Sequence, residues 1–280
     1  MSEPAPYGAY TPTGLVAWLI ARTRAASGAW ASRRLSFLLR RIAVRRLRGR
    51  PVDIETLGAR MRLYPYNNVC EKRILFTPQF FDPQERALVE ERIRPGFVFI
   101  DIGANVGAYA LFVAAHAGND ARIVAVEPQP DVFDRLIYNI RLNGFSVKAM
   151  ACALADKPGE LTLFLSPRNS GETSMKIVPS AVGAAIRVPA TTLADLVRDE
   201  GFERVDAVKL DVEGAEDIIL EPFFRQAPEH LWPSLLIVED GTGRWQIDLP
   251  RLLAEKGYVL LAHTRLNLVF ERAKGRQGRD

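Results

Sequence analysis

The sequence has 280 residues, of which 48% are hydrophobic, and this is enough to bury one sizeable globular core. Its apolar runs fall short of the roughly 20 residues that a membrane span needs, because Arg22 interrupts the longest run near the N-terminus. Cys70 and Cys152 lack the spacing of a metal site or a disulfide framework. We therefore expect a reduced, cytoplasmic protein with one principal domain.

The basic charge is concentrated at the N-terminus. Residues 1–50 contain ten arginines and one glutamate, and so carry a charge of +9. Since the whole chain carries +4, the remaining 230 residues carry −5. We predict a basic, partly disordered helical arm over residues 1–50 and a separate main domain over residues 51–280.

Within this arm, residues 1–13 have the composition of a disordered segment, whereas residues 15–48 show helical periodicity. At about 100° per residue, one stripe of arginines lies beside a separate apolar face. The stripe consists of Arg34, Arg41, Arg45 and Arg48, and the apolar face consists of Leu35, Leu38, Leu39 and Ile42. Such a helix either lies on an anionic membrane or an acidic partner, or packs its apolar face on the domain.

The domain is organised around residues 98–107, which read Val-Phe-Ile-Asp-Ile-Gly-Ala-Asn-Val-Gly. An apolar run ends at Asp101, two glycines follow, and an amphipathic segment then begins, which predicts a strand, a tight turn and a helix. Gly103 and Gly107 would let a ligand approach the backbone, and the amides of the helix start would favour a negative group. Asp101 disfavours phosphate and favours a cation. S-adenosylmethionine, with a carboxylate and an ammonium group, meets both conditions.

Two later strands also end in residues suited to a nucleoside. The predicted strand over residues 122–126 ends at Glu127, 20 residues beyond Gly107, where doubly wound folds place an acid on ribose hydroxyls. A third strand over residues 147–152 is followed by Ala153, at a position that borders adenine in such folds. Asp156 either accepts a hydrogen bond from the adenine amino group or begins the next turn.

Three other segments accompany these strands. Residues 52–63 predict a hairpin, and Asp82 is the predicted cap of a helix that ends near residue 93. Residues 161–188 interrupt the alternation of strands and helices with two strand-like pieces around a polar loop at 168–174. That loop contacts the substrate or simply forms a surface connection.

A second group of acids follows the fourth and fifth strands. The strand over residues 205–210 ends at Asp211, and Glu213 and Glu216 follow in the same turn. The fifth strand ends at Glu239. Because the carboxyl ends of parallel strands form the ligand crevice, we expect these acids to lie near Asp101. The segments 258–262 and 266–271 predict an antiparallel hairpin that closes the sheet.

Two other nucleotide-binding functions fit less well. A nicotinamide oxidoreductase would carry G-x-G-x-x-G and would have to tolerate Asp101 beside a pyrophosphate. An enzyme that methylates base amines would carry Asn-Pro-Pro-Tyr or Asp-Pro-Pro-Tyr where this chain has Asp211 to Gly214. The acids of the crevice would also repel a phosphate backbone, so nucleic acid is not an expected partner.

The motifs together resemble the FkbM family of class I methyltransferases. The resemblance lies in residues 100–107, 127–128, 139–144, 153–159, 191–193 and 209–216, and the last of these, Lys-Leu-Asp-Val-Glu-Gly-Ala-Glu, is the most specific. It implies a doubly wound, mostly parallel seven-stranded α/β sheet that binds S-adenosylmethionine at its strand ends. It also implies methyl transfer to a hydroxyl of a sugar, lipid or polyketide. The predicted cofactor-binding residues are Asp101, Gly103, Ala104, Asn105, Gly107, Glu127, Ala153 and Asp156.

A hydroxyl acceptor needs a base or a metal, since its proton leaves during attack. Asp211, Glu213 and Glu239 are the candidate catalytic residues, and the same oxygens could hold Mg²⁺, a metal that we leave unassigned. The expected acceptor is a small molecule or a lipid-linked glycan, with residues 15–50 in peripheral contact with the inner membrane surface. An alternative is a binding or scaffold protein that keeps this fold without catalysis.

Overall fold

The computed structural model describes residues 5–165, 173–174 and 185–273. The helices in these ranges are α1 (Gly14–Arg24), α2 (Trp30–Leu47), α3 (Val69–Phe76), α4 (Pro83–Glu90), α5 (Ala108–Ala117), α6 (Pro130–Arg141), α7 (Leu193–Asp199), α8 (Glu216–Gln226) and α9 (Leu249–Glu255). The strands are β1 (Val52–Thr56), β2 (Ala59–Leu63), β3 (Val98–Ile102), β4 (Arg122–Val126), β5 (Val147–Met150), β6 (Ala153–Leu154), β7 (Gly159–Leu165), β8 (Thr173–Ser174), β9 (Ala185–Thr191), β10 (Ala207–Leu210), β11 (Leu235–Glu239), β12 (Tyr258–His263) and β13 (Asn267–Arg272).

A seven-stranded sheet forms the centre of the fold, in the order β12-β13-β11-β10-β3-β4-β5. β13 runs antiparallel to both of its neighbours, and the other neighbouring strands are parallel. The chain extends the sheet from β3 to β5 on one side and from β10 onward on the other. This topology confirms the predicted doubly wound α/β fold and places the crevice at the carboxyl ends of β3 and β10.

Burial on both faces of the sheet explains why β3 is apolar at every position except Asp101. Phe99 belongs to one hydrophobic cluster, which also contains the apolar residues of α5. Ile100 and Ile102 belong to a second cluster on the opposite face, together with Val208 and Leu210 of β10. A strand that is covered on both faces does not need alternating polar and apolar residues. Residues 98–102 are therefore all apolar apart from Asp101.

The insertion after β6 forms part of a second sheet, with the strand order β6-β9-β7-β8. β7 and β9 pair antiparallel, which confirms the two strand-like pieces. Of the polar loop at 168–174, only residues 173–174 belong to the described part of the chain. The predicted contacts of the rest of that loop lie outside the described residues.

The N-terminal helices pack on the domain. Where the periodicity predicts one helix, α1 and α2 are separate helices with a break over residues 25–29. Leu19, Ile20, Ala43 and Leu47 are buried in the same hydrophobic cluster as α5. Within the described ranges, no helix combines the length and the apolar character needed to cross a bilayer.

Residues 5–13 differ from the predicted disordered segment because a buried ion pair holds them. The side chains of Arg62 and Asp53 are only 3% and 0% exposed, and Arg62 Nε lies 2.7 Å from Asp53 Oδ1. Asp53 Oδ2 accepts the N–H groups of Gly8 and Tyr10 at 2.8 and 3.1 Å. Arg62 also donates to backbone carbonyls of this segment. These partners come from the β1–β2 hairpin, so the composition of the segment itself could not reveal them.

Candidate active site

A cavity opens at the carboxyl ends of β3 and β10, and Asp101 lies at its floor. Asp101 is 1% exposed, and its Oδ2 accepts the Ala110 N–H at 3.0 Å. Its Oδ1 is buried without a hydrogen-bond partner among the described residues. Burial raises the pKa of Asp101 to about 6, although the nearby Lys209 opposes this rise. An unpaired buried carboxylate oxygen is unfavourable by itself, so this atom is suited to accept a hydrogen bond from a ligand.

The turn after β3 does not offer the amides that its sequence suggests. All five amides of residues 103–107 donate within the protein: Gly103 and Ala104 to Val126 O (3.0 Å each), Asn105 to Glu127 Oε2 (2.9 Å), Val106 to Asn105 Oδ1 (3.0 Å) and Gly107 to Ala104 O (2.8 Å). These five amides are therefore engaged within the protein, and the expected attraction for a negative group stays a prediction for the first amides of α5, which begins at Ala108. The turn shapes the cavity wall, and Asp101 provides its open polar group.

The two glycines of the turn have different surroundings. Gly103 lines the cavity with a φ of +76°, and a Cβ atom there would lie 2.0 Å from the backbone oxygen of Asp211. Gly107, with a φ of +92°, does not line the cavity, and its Cβ would meet Leu136 Cδ1 at 2.8 Å. Gly107 is therefore placed to let α5 approach α6, whereas Gly103 lets β3 approach the turn after β10.

Glu127 is buried at the end of β4 and lines the same cavity. Its two oxygens accept the N–H groups of Asn105 and Gln129, each at 2.9 Å. Burial raises the pKa of Glu127 to about 7, and these two hydrogen bonds oppose the rise. A carboxylate oxygen can accept more than one hydrogen bond, so Glu127 can fix the turn and still accept a ligand hydroxyl.

The wall beyond Glu127 is apolar. Cys152, Ala153 and Leu154 line the cavity here, together with Leu163 of β7. Asp156 is exposed in the turn that follows β6, and it is not among the residues that line the cavity. The position of Asp156 agrees with the interpretation that it begins the next turn, and not with a contact to adenine.

Lys209, which belongs to the motif at 209–216 but has no predicted role, is a buried cation that lines the cavity. It is the neighbour of Asp101 in the register of β10 with β3, and its Nζ lies 3.0 Å from Asp211 Oδ2. The same Nζ lies 5.1 Å from the ring centre of Tyr109. Burial would lower the pKa of Lys209, but Asp211 and Asp101 raise it overall. A charged residue inside a fully buried strand needs a charged partner. The lysine within the apolar segment 207–210 was therefore a signal in the sequence that a carboxylate lies nearby.

Three carboxylates meet at the edge of the cavity next to Lys209. Oxygens of Asp211, Glu213 and Glu239 lie within 4.8 Å of one another, so the structure brings the three candidate catalytic residues together. Burial, followed by the charges of Asp211 and Glu213, raises the pKa of Glu239 to about 8. Arg244 lies 3.3 Å from both Glu213 Oε2 and Glu239 Oε2. Oxygens of this kind can hold a divalent cation, but a guanidinium group already contacts two of the three side chains.

Glu216 has a structural position, unlike the other acids of its turn. It is fully buried, and its Oε1 accepts the N–H groups of Val212 and Gly214 at 3.1 and 3.2 Å. Its Oε2 accepts the indole N–H of Trp245 at 2.7 Å. Glu216 therefore fixes the turn that carries Glu213 and does not line the cavity.

Residues 101–260 match the methyltransferase FkbM domain. The chain belongs to this methyltransferase family. It is 32% identical over 152 residues to methyltransferase sdnD of Sordaria araneosa, covering 44% of this chain and 58% of that protein. It is 26% identical to the hexuronic acid methyltransferase AglP of Haloferax volcanii, covering 70% of this chain and 76% of AglP. It is 25% identical to 31-O-demethyl-FK506 methyltransferase FkbM of Streptomyces tacrolimicus, covering 46% of this chain and 60% of that protein.

Membership of the FkbM family identifies S-adenosylmethionine, and not a nicotinamide dinucleotide, as the cofactor. The cavity of this FkbM-family chain fits that molecule in two respects. The buried Asp101 Oδ1 is an open acceptor for an ammonium group, and Glu127 is an acceptor for ribose hydroxyls. Ala104, Asn105 and Ala153 also line the cavity, whereas Gly107 and Asp156 do not.

Proposed function

We propose that the chain transfers the methyl group of S-adenosylmethionine to a hydroxyl of a sugar, glycolipid or polyketide-type acceptor. The names of two relatives support acceptors of this kind: AglP is described as a hexuronic acid methyltransferase, and FkbM as a 31-O-demethyl-FK506 methyltransferase. The observation that carries the proposal is the group of three carboxylates beside the cofactor cavity. A carboxylate there can accept the proton that a hydroxyl loses as it attacks.

S-adenosylmethionine, when bound, supplies a methyl group already activated by its positive sulfur. The chain then has to align the acceptor hydroxyl with this methyl group, exclude water and receive one proton. In the proposal, Asp101 holds the ammonium group and Glu127 holds the ribose. Lys209 keeps Asp211 in place through their 3.0 Å contact.

Glu239 is the proposed base. Asp211 is held by Lys209, and Glu213 is held by Arg244. Glu239 Oε2 is buried and has no hydrogen-bond partner among the described residues, because its 3.3 Å contact with Arg244 lacks hydrogen-bond alignment. Glu239 lines the cavity that the acceptor would enter, and its pKa of about 8 suits proton transfer near neutral pH.

Replacing Glu239 by glutamine is expected to lower kcat/KM by roughly 10²- to 10⁴-fold, because the base is lost. In the native chain, kcat/KM should rise with pH through about 8, since only the ionised carboxylate accepts a proton. The variant should lose this rise. The acceptor is first identified by mass spectrometry of glycolipids and metabolites from cells with and without the gene, as a product heavier by one methylene.

The matched control is Glu255→Gln, at an exposed glutamate of α9, and it should leave the rate and its pH profile unchanged. An unchanged rate in the Glu239 variant would contradict the assignment of the base. Activity that disappears with a chelator and returns with Mg²⁺ would make the three carboxylates a metal site instead. Absence of any methylated product would favour the non-catalytic binding protein.

We also propose that the outer face of α2 contacts an anionic membrane surface. Helix α2 turns Ser36, Ala43 and Leu47 toward the domain and leaves larger apolar side chains in solvent. Trp30 is 70% exposed, and Phe37 and Leu38 are 56% and 55% exposed. The exposed arginines of the predicted stripe adjoin these side chains, as anionic phospholipid headgroups would require.

Membrane contact predicts that the full chain floats with phosphatidylglycerol vesicles and much less with phosphatidylcholine vesicles. The variant Trp30→Ser/Phe37→Ser/Leu38→Ser should lose most of this binding, because it removes the apolar side chains that would enter the interface. The control is Val259→Ser/Leu260→Ser, which removes exposed apolar side chains of β12. Equal flotation of the α2 variant and the native chain would contradict the proposal.

A further inference from the structure

A second cavity, here called the arginine groove, adjoins the cofactor cavity. It lies between α2, the segment that joins α3 to α4, and the turn between β12 and β13. Four residues, Val69, Arg73, Asp82 and Leu266, line both the groove and the cofactor cavity. A molecule in the groove can therefore extend toward the carboxylates beside Lys209.

The arginine groove has an excess of positive charge. Arg33, Arg40, Arg73 and Arg265 line it, against only two acids, Asp82 and Glu85. Both acids are already engaged. Asp82 Oδ1 lies 2.6 Å from Arg73 Nη2, and the expected cap of α4 is thus a partner of Arg73.

Glu85 is used by the turn on the other side of the groove. Its Oε1 accepts hydrogen bonds from the Thr264 hydroxyl and from the Asn267 amide, the latter at 2.8 Å. In the described part of the chain, no carboxylate lies within 4.0 Å of Arg33, Arg40 or Arg265. Among the described residues, three guanidinium groups of the groove thus have no carboxylate partner and can pair with an anionic ligand.

The arginines of α2 are held by aromatic rings. The guanidinium carbon of Arg40 lies 4.7 Å from the ring centre of Phe37, and that of Arg33 lies 4.7 Å from the ring centre of Phe80. Arg40 is half-buried, and burial lowers its pKa. A guanidinium group stacked on a ring keeps its N–H edge available, and that edge matches the oxygens of a phosphate in a bidentate manner.

We propose that the arginine groove binds a phosphate or diphosphate group of the methyl acceptor, and that the acceptor is a glycan carried on a lipid phosphate. Phe37 lies both in the groove and on the exposed face of α2, so the lipid leaves the groove at the proposed membrane surface. The glycan then extends past Arg73 and Leu266 to the carboxylates. This inference rests on the proposed methyl transfer and adds the class of its acceptor.

The test is calorimetric titration of the full chain with geranyl diphosphate, inorganic diphosphate and geraniol, with S-adenosylhomocysteine present to fill the cofactor cavity. The variant Arg33→Gln/Arg40→Gln should bind geranyl diphosphate about tenfold or more weakly, because two charge-assisted contacts are lost. The control Arg41→Gln/Arg45→Gln removes the same charge from the same helix outside the groove. It should change the affinity less than about twofold, since exposed distant charges are screened.

If the groove variant loses affinity for both geranyl diphosphate and inorganic diphosphate, the result supports phosphate recognition by the groove. If geranyl diphosphate binds the native chain more tightly than inorganic diphosphate does, the result supports the lipid-linked source. Equal affinity for the two diphosphates would overturn the lipid part and indicate a water-soluble phosphate ester. Equal affinity of the groove variant and the native chain, or binding of geraniol alone, would overturn the groove assignment. Failure of S-adenosylhomocysteine itself to bind would instead contradict the proposed methyl transfer, and would overturn the acceptor assignment with it.

Discussion

Replacing Asp101 by asparagine is expected to weaken S-adenosylmethionine binding roughly 10- to 100-fold and, at the same time, to stabilise the folded chain. The affinity falls because the substitution removes the negative charge of Asp101, whose unpaired Oδ1 would accept a hydrogen bond from the ammonium group. The gain in stability follows from the burial of that same carboxylate, because an uncharged amide is easier to bury than an ion. Asparagine keeps an oxygen for the Ala110 N–H.

The stabilisation has a defined pH window. The pKa of Asp101 rises from an ordinary value of 3.8 to about 6 in the folded chain, so ionisation destabilises the folded state. At about pH 3, well below 3.8, the carboxyl is mostly protonated in both the folded and the unfolded state, and the variant should match the native chain. As the pH rises to about 6, the variant should become more stable, by up to about 3 kcal/mol at about 1.4 kcal/mol per pH unit.

Urea unfolding at pH 3 and pH 7.5 measures the stability, and calorimetry at pH 7.5 measures the affinity. Asp156→Asn is the matched control, because Asp156 is exposed outside the cavity. The Asp156 variant should change neither the stability nor the affinity. If it binds S-adenosylmethionine more weakly, the predicted contact of Asp156 with the adenine amino group would be supported. An Asp101→Asn chain that binds S-adenosylmethionine as tightly as the native chain would remove Asp101 from the cofactor site.

The fold and the position of the crevice could be predicted because strand order follows local patterns. β3 and β10 are short strands that are apolar except for one charged residue each, Asp101 and Lys209, and polar turns follow them. Such sequences are typical of strands buried on both faces. In a parallel sheet, the residues after such runs meet at one edge. Asp101, Glu127 and Asp211 could therefore be placed in one cavity from the sequence.

The orientation of α2 could not be predicted in the same way. Its periodicity defines an apolar face of Leu35, Leu38, Leu39 and Ile42, which could lie on a membrane or pack on the domain. In the structure this face is divided: Leu39 packs against the core, whereas Leu35, Leu38 and Ile42 are at least 36% exposed. The fully buried residues of the helix are Ser36, Ala43 and Leu47, and the first two are small enough to let it lie close to the domain. The partner surface, and not the hydrophobicity of the helix alone, decides which face is covered.

The hydrogen bonds of the glycine turn also could not be predicted from the sequence. A glycine-rich turn before a helix is typical of an anion site because its amides are usually open. Here Val126 O accepts two of those amides, and Glu127 Oε2 accepts a third. These acceptors come from β4 and the residue after it, so only the packing of β3 against β4 determines that the amides are satisfied.

Replacing Gly103 by alanine is expected to destabilise the folded chain by more than about 4 kcal/mol, the largest effect of a single methyl group that we predict. The new Cβ would lie 2.0 Å from the backbone oxygen of Asp211, at a φ of +76° that disfavours any side chain. The oxygen cannot move away easily. The Asp211 N–H donates to Ile102 O at 3.0 Å, and the register of β3 with β10 pairs Ile102 with Leu210.

The control separates the two causes of this destabilisation. Gly144 has a similar φ of +65°, but a Cβ atom there would meet nothing within 4 Å, so Gly144→Ala reports the backbone strain alone, about 1–2 kcal/mol. Urea unfolding of both variants isolates the effect of the clash, and equal destabilisation would contradict it. Because relief of the clash requires β3 and the turn after β10 to separate, any folded Gly103→Ala chain should also bind S-adenosylmethionine weakly. The same contact thus fixes the sheet and holds Asp101 close to Asp211 in one crevice.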